Sequence, residues 1–150
     1  MQTSELEKNK AIVMRYVDEI QNGHSIDAIE SIFAEDFVDH AAISGGLFLG
    51  GIDGLKRGYA TFLNAFPDLH ATVEDLIAEG DKVVAYKTLT GTHRGTHLGI
   101  PATGKRVQHK IISIYGIKNG KIAEYWGLQD ELKLMQQLGV LSKDNSGKTN

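Results

Sequence analysis

KRVQHKIISIYGIKNGKIAEYWGLQD, residues 105–130, is the stretch that decides the fold. Within it, Asn119-Gly120 separates two runs that alternate in character and are rich in Ile and Tyr. An Asn-Gly pair suits a two-residue turn whose central residues take positive φ, and that turn matches the twist of the strands it joins. The stretch therefore predicts a hairpin of strands 105–118 and 121–129. Working outward, residues 70–79 and 82–93 show the same period of two around Gly80-Asp81, which predicts a second hairpin.

Before Pro67 the period changes. Ser4 and Glu7 have capping-box spacing. Leu6, Val13, Tyr16, Val17 and Ile20 then recur at helical intervals, and Gly23 can end the helix. Ile26, Ile29, Ile32 and Phe33 form the stripe of a second, short helix, followed by a brief extended piece at 37–40. SGGLFLGG (44–51) reads as a glycine-rich loop. A third helix turns Leu55, Tyr59, Phe62 and Phe66 inward until Pro67 stops it. ELKLMQQLG (131–139) closes the pattern as a helix ending at Gly139. Helices segregated from an antiparallel meander define an α+β domain, with the N-terminal helices covering one face of the sheet. Residues 1–141 are expected to form one domain and 142–150, SKDNSGKTN, a disordered tail.

The chain has 150 residues, 41% hydrophobic and 23% charged, the composition of a globular protein. A net charge of -3 gives no electrostatic reason to expect nucleic acid or an anionic membrane as partner. No apolar run approaches the ~20 residues of a membrane span, and the polar start lacks the apolar core of a signal peptide. The cytoplasm is the expected compartment. With no cysteine, disulfides, thiolate nucleophiles and zinc–thiolate sites are excluded. GGLFLGG lacks a Walker lysine and dinucleotide spacing, and His93 and His97 lie in a glycine-broken strand context with no HExxH around them. Neither a metal nor a cofactor is expected.

Counting outward from Asn119-Gly120 sets the register of the last hairpin. Tyr115 then faces Glu124, Ser113 faces Trp126, Ile111 faces Leu128 and His109 faces Asp130. These eight residues share one face, where acids and bases are interleaved with aromatic and aliphatic groups as in a polar-lined pocket. Directly opposed Cβ atoms lie roughly 5 Å apart, so His109 and Asp130 can pair. A carboxylate beside an imidazole stabilises its charged form and orients it, and such a pair can move a proton at neutral pH. His40 is placed at the pocket mouth. Tyr16, Tyr59, Phe62 and Phe66 pack in the core and can line a cavity. Glu74 and Lys87, opposed in the first hairpin, read as a structural pair.

The stretch from Phe66-Pro67-Asp68 through the Glu79-Gly80-Asp81 turn and the segment 91–104 to Gln136-Gln137-Leu138-Gly139 resembles the SnoaL-like polyketide cyclase (ester cyclase) family. The resemblance runs from about Leu6 to Gly139. It implies a fold like that of nuclear transport factor 2, a cone of curved antiparallel sheet wrapped around helices with a deep apolar cavity. It also implies cofactor-free ring closure by intramolecular aldol condensation, with an acidic residue as general acid/base. Asp130 or Glu124 would be that acid, His109 its partner, and Tyr115 and Trp126 would shape the pocket. The expected ligand is a small hydrophobic carbonyl compound. The alternative is a non-catalytic module of the same fold that only binds such a ligand. The second sheet face, with Ile112, Ile114 and Tyr125, is the expected surface of a homodimer.

Overall fold

The computed structural model describes residues 4–142. The tail expected from Ser142 lies, from residue 143 on, outside the described residues. Helix α1 (Glu5–Tyr16) starts at Ser4, whose Oγ accepts from the Glu7 N–H at 3.1 Å. It runs on into a wider π-wound segment, Val17–Asn22. A short 3₁₀ turn, Ile26–Ala28, leads into α2 (Ile29–Ile32), β1 (Phe33–Asp39) and one irregular turn, α3 (Ile43–Gly46). Helix α4 (Gly51–Ala65) ends where Phe66 leaves helical geometry, as a residue before proline must. Strands β2 (His70–Glu79), β3 (Lys82–Thr92), β4 (Arg106–Lys118) and β5 (Lys121–Gln129) follow, then α5 (Glu131–Leu138).

The sheet order is β1-β5-β4-β3-β2, with β1 parallel to β5 and the other pairs antiparallel. The curved sheet closes over α1, α2 and α4, and Val13, Val17, Ile20, Ile29, Ile32, Val83 and Ile122 fill the space between them. Phe33 was expected on the stripe of the second helix, with only 37–40 extended. The extended piece instead begins at Phe33 as the edge strand β1, because β5 offers it a ladder partner from Phe33↔Ile122 to Asp39↔Tyr125.

Both hairpin turns form as the sequence predicts. Asn119 and Gly120 take φ of 52° and 74°, and Lys118 pairs with Lys121. Beyond the turn the register changes. Ile117 pairs with Ile122 but Gly116 pairs with Glu124, so Ala123 is one residue too many on β5. Such a bulge turns every later side chain of the strand to the other face. Tyr115 therefore faces Tyr125, Ser113 faces Gly127 and Ile111 faces Gln129. A second bulge at Glu74 aligns Val73, not Glu74, with Lys87.

Candidate active site

Between the helices and the inner sheet face lies a narrow cavity of about 50 Å³. Its walls are mainly apolar: Phe33 and Phe37 from β1, Phe48 from the loop before α4, Leu55 and Phe62 from α4, and Ile111 from β4. Four tyrosines interrupt them, Tyr16 from α1, Tyr59 from α4, Tyr115 from β4 and Tyr125 from β5. The hydroxyls of Tyr16 and Tyr59 bond to each other, and that of Tyr125 lies 3.0 Å from Ser113 Oγ. Burial raises all four phenols, Tyr59 to about 12, so each stays a neutral donor at physiological pH. In each hydroxyl pair one proton is spent on the partner oxygen.

Tyr125 reaches Ser113 because its ring lies across Gly127. A Cβ at Gly127 would stand 2.2 Å from the Tyr125 hydroxyl oxygen. Glycine at 127 is thus a space requirement of the cavity wall.

A smaller cavity adjoins the first and shares Ser44, Phe62, Leu89 and Gln129 with it; Phe66 and His109 line its far side. The His109 ring is fixed by its neighbours. Gln129 donates from its amide nitrogen to a Glu131 carboxylate oxygen at 2.6 Å and to Ser44 Oγ at 3.4 Å. Its carbonyl oxygen is thereby turned to His109 Nε2, 3.1 Å away, which must carry the proton. Nδ1 is left with a bare lone pair, buried and without a partner among the described residues. Burial lowers the His109 pKa, against smaller opposing effects from Gln129, Glu131 and Asp130, so the ring is neutral at pH 7.

Not all the residues expected in the pocket are there. Tyr16, Tyr59, Phe62, Ile111 and Tyr115 line the main cavity. His109 and Phe66 line the adjoining one, and Ser113 is buried behind Tyr125. Asp130 does not face His109: the Ala123 bulge turns Gln129 inward opposite Ile111, from where its side chain reaches His109, and Asp130 becomes the exposed N-cap of α5, accepting from the Lys133 N–H at 3.1 Å. Glu124, Trp126 and His40 are corrected by the same bulge. Glu124 and Trp126 turn to the outer face, where His40 stacks on Trp126 at 4.8 Å and bonds Glu124 at 2.9 Å. The structural pair of Glu74 and Lys87 does not form either. Glu74 accepts from Thr88 on the outer face at 2.7 Å, while Lys87 is buried.

Sequence reasoning missed Gln129, Tyr125, Gln21 and Lys87. A signal for the first two was present: Ile122-Ala123 is apolar at consecutive positions, which no regular half-buried strand needs. His93 and His97, expected in a glycine-broken strand context, are buried around Phe66. Burial takes His97 down to about 4, helped by the charges His93 and His109 would carry.

An apolar cavity walled by tyrosine hydroxyls thus adjoins a smaller one lined by a neutral histidine, an arrangement that can hold a small organic ligand and exchange a proton with it. The chain belongs to the SnoaL-like polyketide cyclase family, whose sequence model matches residues 11–138. It is 30% identical over 130 residues to the aklanonic acid methyl ester cyclase DnrD of Streptomyces peucetius, spanning 85% of this chain and 88% of that one. Its fold is similar to that of TsrD from Streptomyces laurentii, with a TM-score of 0.81, 27% identity and coverage of 93% of this chain and 100% of the other. A SnoaL-like polyketide cyclase from Agrobacterium tumefaciens shares the fold at a TM-score of 0.73 and 23% identity, over 93% of this chain and 100% of that one. Among the described residues no helix is long and apolar enough to cross a membrane.

Proposed function

We propose that the protein is a cofactor-independent cyclase that closes a ring by aldol-type acid/base chemistry on a small, mostly apolar carbonyl compound. The observation that carries this reading is the neutral His109, its Nδ1 lone pair left bare, lining a small cavity that adjoins the one walled by phenolic hydroxyls. In such a closure a base takes a proton from the carbon beside a carbonyl. The resulting enolate attacks a second carbonyl carbon of the same molecule, and the new alkoxide takes up a proton. His109 Nδ1 is the base in this reading and returns the proton at the end. Gln129 holds the ring in the tautomer that leaves Nδ1 free. The tyrosine hydroxyls donate to the oxygen on which charge develops. Asp130 and Glu124 have no part in the step, because both are exposed and engaged elsewhere. The relatives that match are cyclases, which favours catalysis over simple binding.

Aklanonic acid methyl ester is the first compound to test, by mass-spectrometric detection of α-proton exchange in deuterated water. His109→Gln, which keeps a bond to Gln129, is expected to slow exchange by roughly 10²-fold or more. Asp130→Asn is expected to retain it. Undiminished exchange in His109→Gln removes His109 from the mechanism.

The outer sheet face supports a homodimer. Leu128 is 80% exposed, Ile112 49% and Tyr86 38%, beside Trp126. An apolar patch on this scale is best covered by a second copy. We further propose a cytoplasmic site of action, which fractionation of a tagged copy tests.

A further inference from the structure

Lys87 enters the core from the middle of β3 and is 1% exposed. Its Nζ donates to the Tyr115 hydroxyl at 2.8 Å and to Gln21 Oε1 at 3.1 Å. It stands 5.4 Å from the centre of the Tyr16 ring and 5.5 Å from that of Tyr115. Gln21 is brought there by the π-wound extension of α1, a kind of winding that tends to mark functional positions. Tyr115, Gln21 and Tyr16 each also line the main cavity, so the ammonium sits one layer behind its wall.

The charged groups around it do not neutralise it. From α1 and its extension it meets Tyr16 and Gln21, and from β4 Tyr115. Tyr59 of α4 and Tyr125 of β5 complete the wall. Asp39 of β1 borders the cavity, but its Oδ1 accepts from the Ala41 and Ala42 N–H groups at 2.8 and 3.2 Å. On β2, Glu74 has turned to the outer face. No carboxylate pairs with Lys87 among the described residues.

A buried cation without a counter-anion is costly, and a hydrocarbon side chain would fill the same space without that cost. The missing negative charge is then the ligand's to supply. The ligand would meet the cation through a phenolic hydroxyl in apolar surroundings. A carboxylate or phosphate gives up a strong hydration shell to enter such a place. An enolate or phenolate, whose charge is spread over a conjugated system, gives up less. We propose that Lys87, acting through the Tyr115 hydroxyl, makes this cavity a receptor for the enolate or phenolate form of its ligand. Lys87 is thus a positioning residue. The inference rests on the preceding reading only in taking the same cavity as the ligand's site.

Burial brings the Lys87 amine to about 7, so near neutral pH a large share of it is uncharged and able to take up a proton. When a neutral phenol binds, its proton passes to the Tyr115 oxygen, and the Tyr115 proton passes to the amine. The O–H bond of the ligand breaks, an N–H bond forms, and the site ends as phenolate and ammonium with Tyr115 unchanged.

The probe is 4-nitrophenol, an aromatic dye whose phenolate alone absorbs in the visible. Bound to the wild-type protein it is expected to ionise at least about one unit below its free pKa, a tenfold gain in phenolate. Lys87→Met is expected to bind the dye without the shift. Tyr115→Phe, which keeps the ring and the lysine, is expected to lose most of it and decides the matter if Lys87→Met does not fold. Ionisation at or above the free pKa, a shift that survives in both variants, or no binding of the dye overturns the inference. Carbon-proton exchange separates it from the reading above. A protein that exchanges the proton but binds the dye neutral refutes this inference alone, and one that binds phenolate but exchanges nothing refutes only that reading.

Discussion

Replacing Lys87 by methionine tests the electrostatics of the cavity through stability alone. The amine falls from 10.5 to about 7 on folding, with burial as the cause. For a base depressed by folding, the unfolded chain binds more protons than the native one between the two pKa values, so stability rises with pH across that window. At about 1.4 kcal/mol per unit the full depression is on the order of 5 kcal/mol against folding below pH 7, and it disappears above pH 10.5. Between pH 7 and 9 the wild type should therefore gain about 2 kcal/mol relative to Lys87→Met. The variant also leaves the Gln21 carbonyl and the Tyr115 hydroxyl without their donor, but that cost does not vary with pH over this range. Urea unfolding of both proteins at pH 6, 7, 8 and 9 reads the difference, and groups common to both cancel. Parallel pH profiles would refute the reasoning, since they would mean that Lys87 keeps an ordinary pKa in the folded state.

Other perturbations address the remaining walls. Gly127→Ala should push the Tyr125 ring off its seat, break its bond to Ser113 and cost about 1–3 kcal/mol in thermal or urea unfolding. At position 130, Asp→Asn should leave stability within about 0.5 kcal/mol, because asparagine caps a helix as well as aspartate, whereas Asp→Ala should cost about 1 kcal/mol. Leu128→Asp, at a residue 80% exposed on the outer sheet face, should run as a monomer in multi-angle light scattering where the wild type is expected as the proposed dimer.

What was legible in the sequence follows range. Both hairpin turns, the Ser4 cap and the end of α4 before Pro67 depend on residues a few positions apart, and their φ preferences or hydrogen bonds are local. The residues that line the cavity from α1 and α4 were also within reach, because a helical stripe has one direction in which to be buried. The family resemblance covered the general presence of a cavity. The partner of His109 was not legible in the same way. It hangs on one extra residue, Ala123, and a single bulge reverses every side chain after it.

The sequence by itself determined the order of helices and strands, the two turns and the helical core stripe, because each is set by short-range geometry and period. Only the tertiary structure decided which side chains meet in the cavity. The β5 bulge occurs where β1 joins as a parallel edge strand with its own irregular register between Phe33 and Val38. The β2 bulge sends Glu74 outward, away from Lys87, and leaves the lysine to the tyrosines. Neither shift can be counted from a turn, since it is the packing of distant strands and helices that selects one register over its neighbour.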